Sequence, residues 1–128
     1  MATWSVVKYV KPNGRCPIDD WVASKKVTAK DCAQLDTVIQ AIESTVGRFP
    51  PEKVKKYHGT ELYEVKAKGP GKQLRPLAHM DGAKKRLVLL GGAIEKDGSL
   101  DSGDVETAKN LAADWKAGIG SVKDYWED

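Results

Sequence analysis

An α+β fold, with a helical hairpin laid on a mostly antiparallel four-stranded sheet and a further helix near the C-terminus, is predicted by three observations. Apolar residues recur at steps of three and four from Thr28 to Val46, alternate with polar ones from Thr60, and return to helical spacing from about Ser102. Helices and meander strands segregated in this way read as β-α-α-β-β-β-α, with the helices on one side of the sheet. At 128 residues and 41% apolar content, the chain has the size of one domain covering residues 1–128.

The first strand is read from Trp4 to Val10, where β-branched and aromatic residues run until Lys11-Pro12-Asn13-Gly14 supplies turn chemistry. Pro17 then opens a short helix at the position that tolerates proline. Asp19 and Asp20 follow in the first turn, where the helix dipole favours anions. The second helix buries Cys32, Leu35, Val38, Ile39, Ile42 and Val46, with Thr28 as cap and Asp31 three residues on. Gly47 and Phe49-Pro50-Pro51 end it.

Tyr63, Val65 and Ala67 alternate with Glu64, Lys66 and Lys68, the pattern of a strand with one buried and one wet face. Gly69-Pro70-Gly71 turns into a strand from Lys72 to Met80, and Asp81-Gly82 turns into a third from Lys84 to Ile94. Pro76 donates no ladder hydrogen bond, so a bulge or unpaired stretch is expected there. Leu87 to Leu90 is apolar at consecutive positions and should be covered on both faces. The last helix, about residues 102–118, carries Val105, Ala108, Leu111, Ala112 and Trp115 on one side, and 119–128 form a tail.

Charge is distributed unevenly. Residues 53 to 94 hold ten basic and three acidic side chains, whereas 95 to 128 hold four basic and nine acidic. A basic centre beside an acidic tail fits either a surface that meets a polyanion or a tail that folds back over its own domain. Cys16 and Cys32 form neither a disulfide framework nor a metal-ligand spacing, and His58 and His79 are too scattered for zinc. No metal and no cofactor are expected. Without an 18-residue apolar run or a leader pattern, the expectation is a soluble, cytoplasmic protein that does not enter a membrane.

Four short stretches stand in order along the chain: Gly14-Arg15-x-Pro17 with Trp21, Val54-Lys55-Lys56-x-x-Gly59-Thr60-x-Leu62-Tyr63-Glu64-Val65, Gly71-Lys72-x-Leu74-Arg75, and Leu87 to Gly92. Together they resemble the RelE/ParE toxin superfamily, nearest its HigB-like, phage-derived branch. The resemblance covers roughly residues 4 to 115 and implies a RelE-like fold. It also implies a ribosome-dependent mRNA endonuclease, the toxin of a toxin–antitoxin pair, whose partners are mRNA, the ribosome and a cognate antitoxin, expected to be a helix-turn-helix protein.

Cleaving RNA by its own 2′-hydroxyl requires groups that move protons and groups that stabilise charge on phosphorus. Strand alternation predicts that Glu64, Lys66 and Lys68 face away from the helices beside Arg75, Leu77 and His79, giving one basic patch. Arg75, matching the family's strand arginine, is the candidate phosphate binder, with a salt bridge to Glu64 as the structural alternative. His79 is the candidate acid or base. Lys96 completes the candidate catalytic set, lying where relatives keep a basic cluster. Lys55, Lys56, Lys66, Lys68 and Lys72 are the candidate RNA contacts.

The chain departs from the family at Gly91-Gly92-Ala93-Ile94-Glu95, where relatives carry a histidine, an aromatic and a lysine. Two other functions therefore stay open: a non-catalytic binding protein of phage or prophage origin with the same fold, and a ParE-like gyrase inhibitor.

Overall fold

The computed structural model describes residues 3–49 and 52–127. Strand β1 (Ser5–Val10) is followed by helices α1 (Pro17–Val22) and α2 (Ala29–Glu43), then by six strands in succession. These are β2 (Val54–Lys56), β3 (Tyr63–Val65), β4 (Ala67–Gly69), β5 (Lys72–Leu74), β6 (Leu77–Asp81) and β7 (Arg86–Gly91). The two-residue β8 (Ile94–Glu95), helix α3 (Ser102–Lys116) and strand β9 (Ser121–Asp124) complete the chain.

The α+β class holds, but the sheet is larger than expected. Six strands pair in the order β2-β3-β6-β7-β1-β9, and β4, β5 and β8 form a separate three-stranded sheet. β1 runs parallel to β7, while every other recorded strand pairing in the main sheet is antiparallel. The tail supplies the additional edge strand β9, antiparallel to β1.

Pro76 explains the division into two sheets. The predicted strand from Lys72 to Met80 breaks at Arg75-Pro76, and the register shifts again between Leu77 and Ala78. A residue without an N–H cannot extend the ladder, so the hairpin bends and its tip pairs with β8 instead. Arg75 N donates to Ala93 O at 2.8 Å, which anchors the bend.

Pro17 sits in the first turn of α1, as the sequence predicts, and α2 opens with a capping box. Asp31 N donates to Thr28 Oγ1 at 3.2 Å, and Thr28 N donates to Asp31 Oδ2 at 2.9 Å. Val46, predicted on the buried stripe, lies beyond the helix end at Glu43 and is 47% exposed.

The largest correction concerns sidedness. One apolar cluster joins Ile18, Leu35, Ile39 and Ile42 of the hairpin to Val6, Leu87 and Leu89 of the sheet. A second joins Ala108, Leu111 and Ala112 of α3 to Tyr9, Leu62, Leu77, Val88 and Leu90. Helices therefore cover both faces, and the consecutive apolar run of β7 serves both at once: Leu87, Val88, Leu89 and Leu90 are all fully buried.

The C-terminal tail is anchored by specific polar contacts. Tyr9 Oη donates to Ile119 O at 2.8 Å, Tyr125 Oη to Asp36 Oδ1 at 2.7 Å, and Trp126 Nε1 to Glu43 Oε1 at 2.8 Å. Gly120 has φ +85°, and a Cβ there would press on Tyr9 Oη at 2.5 Å, so the backbone requires glycine. Asp19 accepts from both Lys8 (2.8 Å) and Lys123 (2.6 Å), linking α1, β1 and β9.

Candidate nucleic-acid interface

The basic patch expected on the face away from the hairpin does not assemble. Its central strands are roofed by α3 through Leu77, Val88 and Leu90, and the candidate side chains fall into separate places. The physical reason is the apolar stripe of α3: Ala108, Leu111 and Ala112 must leave water, and the second sheet face is the apolar surface they pack on.

Arg75 is turned inward and is only 7% exposed. Its Nη1 donates to Leu74 O at 2.9 Å and more weakly to Ala67 O at 3.4 Å, and its Nη2 donates to Gln73 Oε1 at 3.1 Å. Nε lies 3.6 Å from Glu95 Oε1. The ion-pair partner is therefore Glu95 rather than Glu64, and the guanidinium ties β4, β5 and β8 together. The alternation argument fails here because the break at Pro76 resets which face each side chain meets.

Among the other candidates, Lys72 is also used structurally, donating to Asp31 Oδ2 at 2.9 Å and to Lys26 O at 2.7 Å. That pairing, then the hydrogen bond from Thr28 N, holds the Asp31 carboxyl below the usual carboxylate range. Lys66 is half-buried and Lys68 exposed on β4 opposite Gln73. Lys55 stands opposite Glu64 on the edge strand β2, and Lys56 lies 3.5 Å from Glu61 at the surface. His79 is half-buried on β6. Burial, then the charge of Lys116, lowers its pKa from the ordinary 6.5. Lys96 is exposed, in a small bridge with Ser99.

Of the eight candidates, Lys72 and Lys96 share an opening. It is a groove of about 800 Å³ between the start of α3, the α1–α2 connection and the small sheet. Trp21, Lys25 and Lys26 line one side, Gln73 and Glu95 the floor, and Asp101 and Asp104 the helix side. Trp21 is held against Gly92, where any Cβ would overlap the indole. Gly92, rather than Gly91, thus makes room for an aromatic ring from α1.

Much of the charge in the groove is already committed. Lys72 is bound to Asp31, and Glu95 to Arg75. Asp101 caps α3, accepting from Gly103 N at 2.8 Å and Asp104 N at 3.1 Å. Lys25, Lys26 and Lys96 have exposed side chains at the rim. Asp104 is exposed overall, yet partial desolvation and then the neighbouring Asp101 raise its pKa, with Lys26 opposing.

Sequence reasoning missed Trp21, Lys25, Lys26 and Asp104 as groove residues. A Lys-Lys pair four residues after a tryptophan, at the connection between two helices, was the available signal. Searches of family models, curated proteins and solved structures find no match to this chain.

Proposed function

We propose that this chain is a RelE/ParE-like RNA-binding protein of the toxin–antitoxin kind that holds single-stranded RNA without strand-arginine chemistry. The observation that carries the binding is the groove: Lys25, Lys26 and Lys96 line it together with Trp21, so that it offers phosphates a cationic rim and an unpaired base an aromatic side chain. The burial of Arg75, whose Nη1 and Nη2 donate to Leu74, Ala67 and Gln73, argues against its serving a scissile phosphate. A helix-turn-helix antitoxin remains part of this proposal, on the resemblance alone.

Affinity for a labelled single-stranded oligoribonucleotide, measured across a salt series, tests the reading. Lys26→Ala and Lys96→Ala should each weaken binding and shallow the dependence of log K on log salt by roughly 0.7, the single-strand value per phosphate contact. Slopes unchanged in both variants would remove the groove as the RNA site.

One observation favours a second reading, ribosome-dependent cleavage. Asp104 lines the same groove, and partial desolvation and then Asp101 raise its pKa, which makes it the candidate proton carrier of that reading. In a purified translation system, defined mRNA ends that vanish in Asp104→Asn would establish it. Intact mRNA under conditions where RNA is bound supports binding alone.

A further inference from the structure

We propose that Arg86, His79 and Lys116 form a binding site for a phosphoryl oxyanion, with Trp115 as the wall that holds the guanidinium in place. The site lies at the C-terminal end of α3, roughly 20 Å from the groove at its other end by the helix rise. It stands independently of the reading above.

The register places the components. Arg86 pairs directly with Asp81 across β6 and β7, and His79 pairs with Val88, so His79, Asp81 and Arg86 share the sheet face that α3 covers. Arg86 Cζ sits 5.4 Å from the centroid of the Trp115 ring, and Tyr9 meets that ring edge-on at 6.2 Å. The ring fixes the guanidinium plane and is itself fixed from behind.

The Nε of Arg86 is buried and has no hydrogen-bond partner among the described residues. Arg75 also has a buried Nε without a partner, but its Nη atoms donate to Leu74, Ala67 and Gln73, whereas no such donation is recorded for Arg86 among the described residues. The recorded carboxylate contact of Arg86 is Asp81 Oδ2, 3.6 Å from Nη2, beyond hydrogen-bond length. The other oxygen of Asp81 accepts from Lys84 N at 3.3 Å in the turn. Nε has no surface that a ligand from solvent could reach, so an incoming oxyanion would meet the Nη1–Nη2 edge of the partly exposed guanidinium, whose two nitrogens fit two oxygens of a phosphoryl group.

The charges facing the site are mixed, with two cations and a histidine against the Asp81 carboxylate. From β6 come His79 and Asp81, from β7 Arg86, and from α3 Lys116, while the charge of Asp114 acts on the Tyr9 hydroxyl. Burial first, and then Lys116 and Arg86, disfavour protonation of His79, with Asp81 opposing them. A bound oxyanion would relieve that repulsion and favour the imidazolium, adding a third donor.

The test follows the imidazole proton signals of the full-length chain by NMR through a pH titration, at matched ionic strength in chloride and in millimolar inorganic phosphate. A 5′-nucleoside monophosphate and a short oligoribonucleotide form parallel arms. Exposed His58, the other histidine of the chain, is the internal control.

The expected result is an upward move of the His79 midpoint in phosphate with His58 unmoved. Lys116→Ala should weaken the effect by roughly two- to five-fold in ligand concentration, the worth of one exposed cation. Arg86→Lys, which keeps charge but not the fork, should weaken it further. A response to phosphate and monophosphate assigns a monoester or free phosphate; a response to the oligoribonucleotide alone assigns a phosphodiester. No movement in any arm, equal movement of both histidines, or an undiminished response in folded Arg86→Lys would overturn the proposal.

Discussion

Arg75 and His79 show how much a single side chain's surroundings decide. The Arg75 guanidinium donates within the small sheet and faces Glu95, so its replacement leaves Gln73 Oε1 and the Glu95 carboxylate without their partner. Arg75→Gln is expected to cost about 1–3 kcal/mol of stability, the range for disturbing a buried hydrogen-bonded group, with RNA affinity at the groove retained under conditions where the chain is folded. Urea unfolding beside a binding titration checks both halves. His79 favours its neutral form in the fold, since burial and then Lys116 lower its pKa below 6.5. The unfolded chain therefore takes up the proton first, and stability falls as the pH drops from about 6.5 through the lower folded value. His79→Asn should flatten that part of the pH–stability profile; an unchanged profile would assign the slope elsewhere. The two alternation-based placements also differ instructively. His79 lies on the predicted face because β6 is continuous there, whereas Arg75 does not because the ladder ends at Pro76.

Helix α3 carries more of the architecture than its charge suggests. Its acidic residues invited the idea of an electrostatic cover laid over a basic face, but the contact is apolar, through Ala108, Leu111 and Ala112 on Tyr9, Leu77, Val88 and Leu90. Leu111 is 6% exposed, and Leu111→Ala should destabilise by about 2–5 kcal/mol, the range for a buried leucine replaced by alanine. Denaturant midpoints are the measurement, and a loss below 1 kcal/mol would mean that the helix is not docked as described. Asp101 begins the helix by accepting from two backbone amides, and Lys116 ends it on the side where a cation suits the dipole. The acidic side chains of the first turn border the groove instead of covering a basic sheet.

Across the whole molecule, the main sheet is a shared layer between two apolar cores, with β7 between β6 and β1 at its centre. Removing the residues after Gly98 would strip one core bare, along with the β9 edge. Such a truncation should lose cooperative unfolding instead of unmasking a basic face, and circular dichroism on heating would show it; a folded truncation with stronger RNA binding would restore the electrostatic cover. Residue spacing, with cap and turn residues, determined the α+β class, helices α1 and α2 with the Thr28–Asp31 cap, the antiparallel β6–β7 pairing and the full burial of Leu87 to Leu90, because these depend on neighbours close in the chain or on an apolar run too long for one face. Tertiary structure decided the rest: which side α3 takes, that residues 121–124 form an edge strand, that Arg75 turns inward, and that Trp21, Lys25, Lys26 and Lys96 meet. Those outcomes depend on which apolar surfaces find each other across long stretches of chain and on where Pro76 breaks the ladder, and residue spacing records neither.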